Sequence, residues 1–187
     1  MRYKVIGIGG AARNQLNELD SFAFDFNWAV NIDTDIAAAS VFLGSFVQIG
    51  NVLQQGRGSV EPEVGFMAAM ESKTKIAELL SDTDFLILTA GLGGGCGTGA
   101  LPYVAELART RGIKTALVVT TPAGFEGERR RKRADDCLSK IAGSLCDDLF
   151  VIPIIFDDKG LLHIYENADK EVAKKIIYII NKEIIQI

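Results

Sequence analysis

Apolar residues fall along this chain in six short runs of strand length: Tyr3 to Ile8, Trp28 to Ile32, Phe46 to Ile49, Asp84 to Thr89, Ile113 to Thr120 and Leu149 to Ile155. Their apolar positions are largely consecutive, which suits strands buried on both faces, as those of parallel sheets are. The stretches between them carry helical period. Glu63 to Leu80 places Phe66, Ala69, Met70, Ile76, Leu79 and Leu80 on one face, predicting a single amphipathic helix with those side chains in the core. Shorter helices are predicted from near Asn14, over Asp35 to Ser40, over Ala100 to Arg111, and from the basic run Arg129 to Arg133. A last one spans about 161–186. Its Tyr165, Ala168, Val172, Ala173, Ile176, Ile177, Ile179, Ile180, Ile184 and Ile187 cover about half the circumference, and Lys174, Lys175, Tyr178, Asn181 and Lys182 take the rest.

Glycine marks two of the strand-to-helix joints. Between Gly91 and Gly99 there are six glycines in nine residues, after a buried strand and before a helix. Without side chains the backbone takes positive φ and presents N–H groups to an anion, and the helix dipole favours negative charge there. A nucleotide phosphate tail is the expected ligand. The first joint, Gly7-Ile-Gly-Gly-Ala-Ala12, satisfies the dinucleotide pattern GxGxxA, with Asp33 after the second strand in about the right place. By itself it suggests an NAD-binding protein, but one such turn suffices for a dinucleotide and leaves the second glycine loop unexplained. The expected fold is α/β: a three-layer Rossmann-like sandwich with a mostly parallel sheet of about six strands, its ligand across their carboxyl ends.

Composition narrows the classes. The 187 residues fit one domain, 1–187, and 48% hydrophobic content supports a real core. A net charge of −4 gives no global field for nucleic acid or anionic lipid. The apolar runs fall short of a membrane span, MRYKVIGIGG is a strand rather than a signal peptide, and Cys96, Cys137 and Cys146 suit free thiols in a reducing cytoplasm. His163 is the one histidine, which argues against histidine triads and multi-histidine metal sites, and no metal-ligand set is assigned. The run Arg129 to Arg133 lacks interleaved aromatics, so it is a solvated helix start with one residue turned inward, not a nucleic-acid site.

Gly93-Gly-Gly-Cys-Gly-Thr-Gly99 resembles the tubulin signature loop, GGGTGTG in bacterial FtsZ, with Cys96 where the family has threonine. The resemblance runs from about Tyr3 to the final helix. It implies that Gly9, Gly10, Ala11 and Asn14 touch the phosphates together with Gly93, Gly94, Gly95, Cys96, Gly97, Thr98 and Gly99. Asn31-Ile-Asp33 resembles the family's NTD loop, with Asp33 near phosphates and metal; the alternative is a helix cap by Asp33 or Thr34. Gly56 to Pro62 resembles GLGAGANPE, the loop that senses the γ-phosphate in relatives, with Ser59-Val60-Glu61 replacing its glycine and asparagine. A carboxylate beside a γ-phosphate is unfavourable without a metal, whereas Glu61 and Pro62 both suit the first turn of a helix. Thr121 to Gly127 resembles TRPFxFEG, implying Glu126 on the ribose hydroxyls and Arg130 near sugar and phosphates. The family's base-reading IPND is rewritten as Pro153 to Asp158, where Asp157 or Asp158 could compensate. Leu161 to Asp169 matches LLxAFxxAD, implying Tyr165 stacked on guanine and Asp169 accepting from guanine N1 and N2.

The expected function is therefore FtsZ/tubulin-like binding of GTP or GDP with Mg2+ in the cytoplasm. Nucleotide-dependent self-association, as a homo-oligomer, or association with a filament-forming partner is expected with it. The family's catalytic NxDxxD is absent from the sequence, so no catalytic residue is assigned and GTP hydrolysis is expected to be weak or absent alone. The lysine-bearing face of the last helix favours a natural single-domain protein. Cys96, at a helix N-terminus, is either a small residue in threonine's place or a thiol of lowered pKa. The alternatives are a nucleotide-free scaffold and an NAD-binding Rossmann protein.

Overall fold

The computed structural model describes residues 1–183. Strand β1 (Tyr3–Ile8) leads into helix α1 (Gly10–Asn17) and a 3-10 turn, Glu18–Phe22. Strand β2 (Ala29–Asp33), a 3-10 turn at Ile36–Val41 and strand β3 (Ser45–Gln48) follow. Then come helices α2 (Asn51–Gln54), α3 (Pro62–Glu71) and α4 (Lys73–Leu79), strand β4 (Phe85–Gly91) and helix α5 (Cys96–Arg109). Strand β5 (Lys114–Thr121), helix α6 (Glu128–Ile141), strand β6 (Asp148–Pro153) and helix α7 (Leu161–Glu183) complete the described chain.

All six strands are parallel, in the order β3-β2-β1-β4-β5-β6. The chain builds outward from β1 to β3, returns to the centre, and builds the other way from β4. Side chains on one face, among them Ile6, Ile8, Ile32 and Leu88, pack under α3, α4, α5 and α6. Val5, Phe85, Ile87 and Val118 on the other face pack under α1 and α7. This is the expected three-layer α/β sandwich. Among the described residues no helix is long and apolar enough to cross a membrane.

Several boundaries differ from expectation. α1 begins at Gly10 rather than near Asn14. α5 begins at Cys96 rather than Ala100, so Gly97 and Gly99 lie inside its first turns. Glycine is costly in a helix, and here close packing demands it. A Cβ on Gly99 would stand 1.9 Å from the Pro62 carbonyl oxygen, and one on Gly65 2.5 Å from that of Gly95. Helices α3 and α5 therefore cross on bare backbone. Further along α5, Pro102 has no N–H to give the Thr98 carbonyl; the Cys137 thiol donates to it instead, at 3.4 Å.

The single helix expected over Glu63 to Leu80 is two, broken at Ser72, whose hydroxyl accepts from the Gly50 N–H at 2.9 Å. Phe66 and Met70, assigned to the core by periodicity, are 42% and 49% exposed, while Ala69, Ile76 and Leu80 are buried. The segment Asp35 to Ser40 forms a 3-10 turn, with the Asp35 carboxylate accepting from the Ala37 N–H at 3.0 Å. In the last helix, Ile184 and Ile187 lie outside the described residues.

Candidate functional site

Strand order reverses between β1 and β4, and a crevice opens beyond the carboxyl ends of these two strands. A cleft of about 390 Å³ occupies it, the position where open α/β sheets hold ligands.

One end of the cleft is backbone. Gly9, at φ +87°, precedes α1 and donates its N–H to the Ile32 carbonyl at 2.8 Å; a Cβ there would sit 3.0 Å from the Gly97 nitrogen. Gly10, Ala11 and Asn14 continue this wall. Opposite lie Gly94, Gly95, Cys96 and Gly97, at the N-terminus of α5. Gly95 is pressed onto the Ser59 carbonyl, and of the glycines from 91 to 99 only Gly94 has open space where a side chain would be. That space, at the positive end of a fourteen-residue helix, is a cradle for an anion. Gly93, Thr98 and Gly99 do not line the cleft. Gly93, at φ +100°, lies against Pro122 and Arg130, and its N–H donates to the Thr98 hydroxyl at 2.8 Å, which holds the loop's shape.

Asp33 lines the cleft, and its Oδ1 accepts from Thr34 N–H at 2.7 Å and Asp35 N–H at 3.3 Å; the 3-10 turn that follows is capped by Asp35, not by Asp33 or Thr34 as the alternative reading has it. Burial raises its pKa, against the backbone hydrogen bonds that lower it. Cys96 is buried beside it. Burial, and then the Asp33 charge, push the thiol above its ordinary value, so the lowered-pKa reading of Cys96 is corrected. Among the described residues no three His, Cys, Asp or Glu side chains converge to hold a metal. Asp33 and Asp35 do both border the cleft, which fits a Mg2+ ion held chiefly by phosphate oxygens and water.

The other end is made of side chains. Glu126 accepts from the Ala123 N–H at 2.9 Å through Oε1 and from Arg130 at 2.7 Å through Oε2. Tyr165 and Asp169, one turn apart on α7, complete that end, with Ile154 beside them. The Phe125 ring meets Tyr165 edge-on at 6.5 Å. Burial, then Glu18 and Glu166, push the Asp169 carboxyl up to about 7. Asp157 and Asp158 do not line the cleft. Asp157 instead accepts from the Lys159 N–H at 2.9 Å and pairs with His163 Nδ1 at 2.8 Å.

Gln15 was not foreseen. It is 1% exposed, accepts from the Thr89 hydroxyl at 2.6 Å and donates to the Thr120 hydroxyl at 3.3 Å. It thereby ties α1 to β4 and β5 at the cleft's edge. Its signal is a polar side chain on the buried stripe Ala12, Gln15, Leu16, Leu19.

Residues 2–166 match the family described as Tubulin/FtsZ family, GTPase domain. The chain belongs to the Tubulin/FtsZ family. Cell division protein FtsZ of Pseudomonas putida is 37% identical over 178 residues, covering 91% of this chain and 44% of that protein. FtsZ of Aquifex aeolicus is 39% identical over 160 residues, covering 84% and 42%. The chain thus spans less than half the length of these relatives. The empty FtsZ dimer of M. jannaschii superposes with a TM-score of 0.88 at 31% identity, over 96% of this chain and 54% of that one. A GTPgS-bound CetZ2 protofilament from Haloferax volcanii shares the fold, with a TM-score of 0.84 at 20% identity, over 100% and 60%. Membership in the Tubulin/FtsZ family displaces the NAD-enzyme reading of Gly7 to Ala12, because both glycine joints belong to one cleft.

Proposed function

We propose that residues 1–187 form one guanine-nucleotide-binding domain that takes GTP or GDP with Mg2+ in the cytoplasm. The observation that carries this reading is the two-ended cleft: an open backbone cradle at Gly94 and a Tyr165–Asp169 pair at the far end. Phosphates would lie against Gly9 to Ala11, Asn14 and Gly94 to Gly97, with Gly93, Thr98 and Gly99 shaping that loop from behind. Glu126 and Arg130 would take the ribose. Tyr165 would stack on the base and Asp169 would accept from guanine N1 and N2, a donor pair that adenine lacks. Asp33 and Asp35, which border the cleft, would help to hold Mg2+, which would supply charge neutralisation.

The domain would associate with copies of itself, or with a filament-forming partner, according to its nucleotide. These residues hold no NxDxxD to orient an attacking water, so hydrolysis by them alone would be slow or absent, and carboxylates from a neighbouring chain would raise it.

Calorimetric titration with GTP, GDP, ATP and NAD, each with Mg2+, tests the reading. Guanine-selective binding that is lost in Asp169→Ala supports it. No guanine binding, from folded protein stripped of nucleotide, overturns it in favour of a nucleotide-free scaffold.

A further inference from the structure

Glu61 immediately precedes α3, and its carboxylate turns to α6 rather than into the cleft. Arg129 donates to its Oε1 at 2.6 Å and Arg133 to its Oε2, and Arg133 also donates to the Val60 carbonyl at 3.2 Å. The two arginines lie four residues apart, on one face of the helix. Between them Arg130 pairs with Glu126 at 2.7 Å and borders the cleft. The start of α6 thus holds two walls of one cleft.

The segment ahead of Glu61 has two more anchors. The Ser59 N–H donates to the Thr34 hydroxyl at 2.9 Å, and Thr34 is set in turn by Asp33. The Ser59 carbonyl lies where a Cβ on Gly95 would come within 2.1 Å of it. Gly58 and Ser59, which line the cleft, are therefore tied to the end of β2, to the glycine loop and to α6.

We propose that Glu61, held between Arg129 and Arg133, is a positioning residue that locks the Gly58–Ser59 wall in one place whatever the length of the phosphate chain beside it. The proposal rests on the nucleotide reading of the cleft. A ligand shifts a conformational equilibrium only by binding its states unequally, and a wall pinned at three points offers one state. Electrostatics agrees with the geometry. A carboxylate swung into the cleft would repel a phosphate; two guanidiniums hold it outward, and the Arg133 hydrogen bond keeps its carboxyl below the usual range. Exposed ion pairs are weak one by one, and the Arg129 side chain is 75% exposed. That of Arg133 is only 16% exposed, so the shared carboxylate makes a partly shielded network. A several-fold effect is expected, not an all-or-none one.

Amide hydrogen exchange over residues 56–61 tests the lock, with thermal melts confirming that each variant is folded. In nucleotide-free protein, Glu61→Gln should exchange about fivefold faster there than wild type. Arg133→Gln, which also removes the bond to the Val60 carbonyl, should exchange at least as fast, and the double variant should fall short of the sum of the two. Salt at about 1 M should loosen the wild-type segment in the same way. With nucleotide bound, wild-type exchange in this segment should be equal for GDP and GTP, whereas Glu61→Gln should be protected more by GTP. Unchanged exchange in both single variants overturns the lock, as does wild-type exchange that drops several-fold from GDP to GTP. The nucleotide-free comparison stands whether or not guanine binds, so failure of the lock and failure of the nucleotide reading are separate results.

Discussion

The two ends of the cleft are built by opposite means. At the Gly94 end the lining is main chain, set by glycines that other main chain crowds: Gly97 against the Gly91 and Ile8 carbonyls, Gly95 against Ser59, Gly65 against Gly95. At the Asp169 end the lining is side chains brought from separate elements, Glu126 from the turn after β5 and Tyr165 and Asp169 from α7. On the proposed reading the first end is constrained twice, by packing and by phosphate. On the same reading the second is constrained chiefly by the base. One end should fail abruptly on substitution and the other should retune.

The sharpest way to break this contrast is a pair of alanines. Gly99→Ala puts a methyl 1.9 Å from the Pro62 carbonyl, so α3 must move off α5. Overpacking of this kind outweighs the helix propensity gained, and a net loss of about 2 kcal/mol is expected from denaturant unfolding. Gly94→Ala has open space and should unfold as wild type does, while its methyl fills the cradle and lowers GTP affinity at least about tenfold. If Gly99→Ala were as stable as wild type, the double-constraint argument would be wrong.

The same contrast explains what the sequence disclosed. The glycine joints stand out because nothing else in a strand-to-helix turn requires so many residues without side chains. The start of α5 is nevertheless four residues earlier than the periodicity predicts, at Cys96 rather than Ala100. Local propensity puts Gly97 and Gly99 in a loop, whereas tertiary contacts require glycine at both helical positions, Gly99 at the crossing with α3 and Gly97 against the Ile8 and Gly91 carbonyls. Glu61 looked hostile to a phosphate, since the arginines that neutralise it are 68 and 72 positions away. Gln15 carried a signal, a polar residue on a buried stripe, but its partners Thr89 and Thr120 belong to distant strands. Tyr165 and Asp169 are legible only through the family resemblance, because one aromatic and one acid a turn apart are ordinary on any helix.

Asp169 sharpens the comparison through pH. Its carboxyl is raised from 3.8 to about 7 by burial, Glu18 and Glu166. The folded protein therefore keeps a proton that the unfolded chain has already lost. Stability from this group is complete below about pH 4 and declines as pH rises to about 7, then levels. Guanine binding runs the other way, since only the ionised carboxylate accepts from N1 and N2. Affinity for GDP should rise up to about tenfold per unit as pH approaches 7, and flatten above it. Asp169→Asn should abolish both trends and cost about tenfold to a hundredfold in guanine preference over adenine. A GDP affinity flat from pH 5.5 to 8 in wild type would remove Asp169 from the base contact.

Tyr165 carries the smallest expected change. If its ring stacks on the base, the hydroxyl contributes little, because a phenylalanine ring offers the same face. Phe125 packs against the ring edge-on, while Glu126, which engages Ala123 and Arg130, also lies by the hydroxyl and, after burial, raises its pKa. Tyr165→Phe should leave GDP affinity within about twofold of wild type, whereas Tyr165→Ala should lose about tenfold as the stack disappears. Measured in one calorimetric series, the two substitutions separate ring from hydroxyl. Equal losses in both would place the hydroxyl, rather than the ring, against the nucleotide, and the base end would then resemble the phosphate end in resisting even an isosteric exchange.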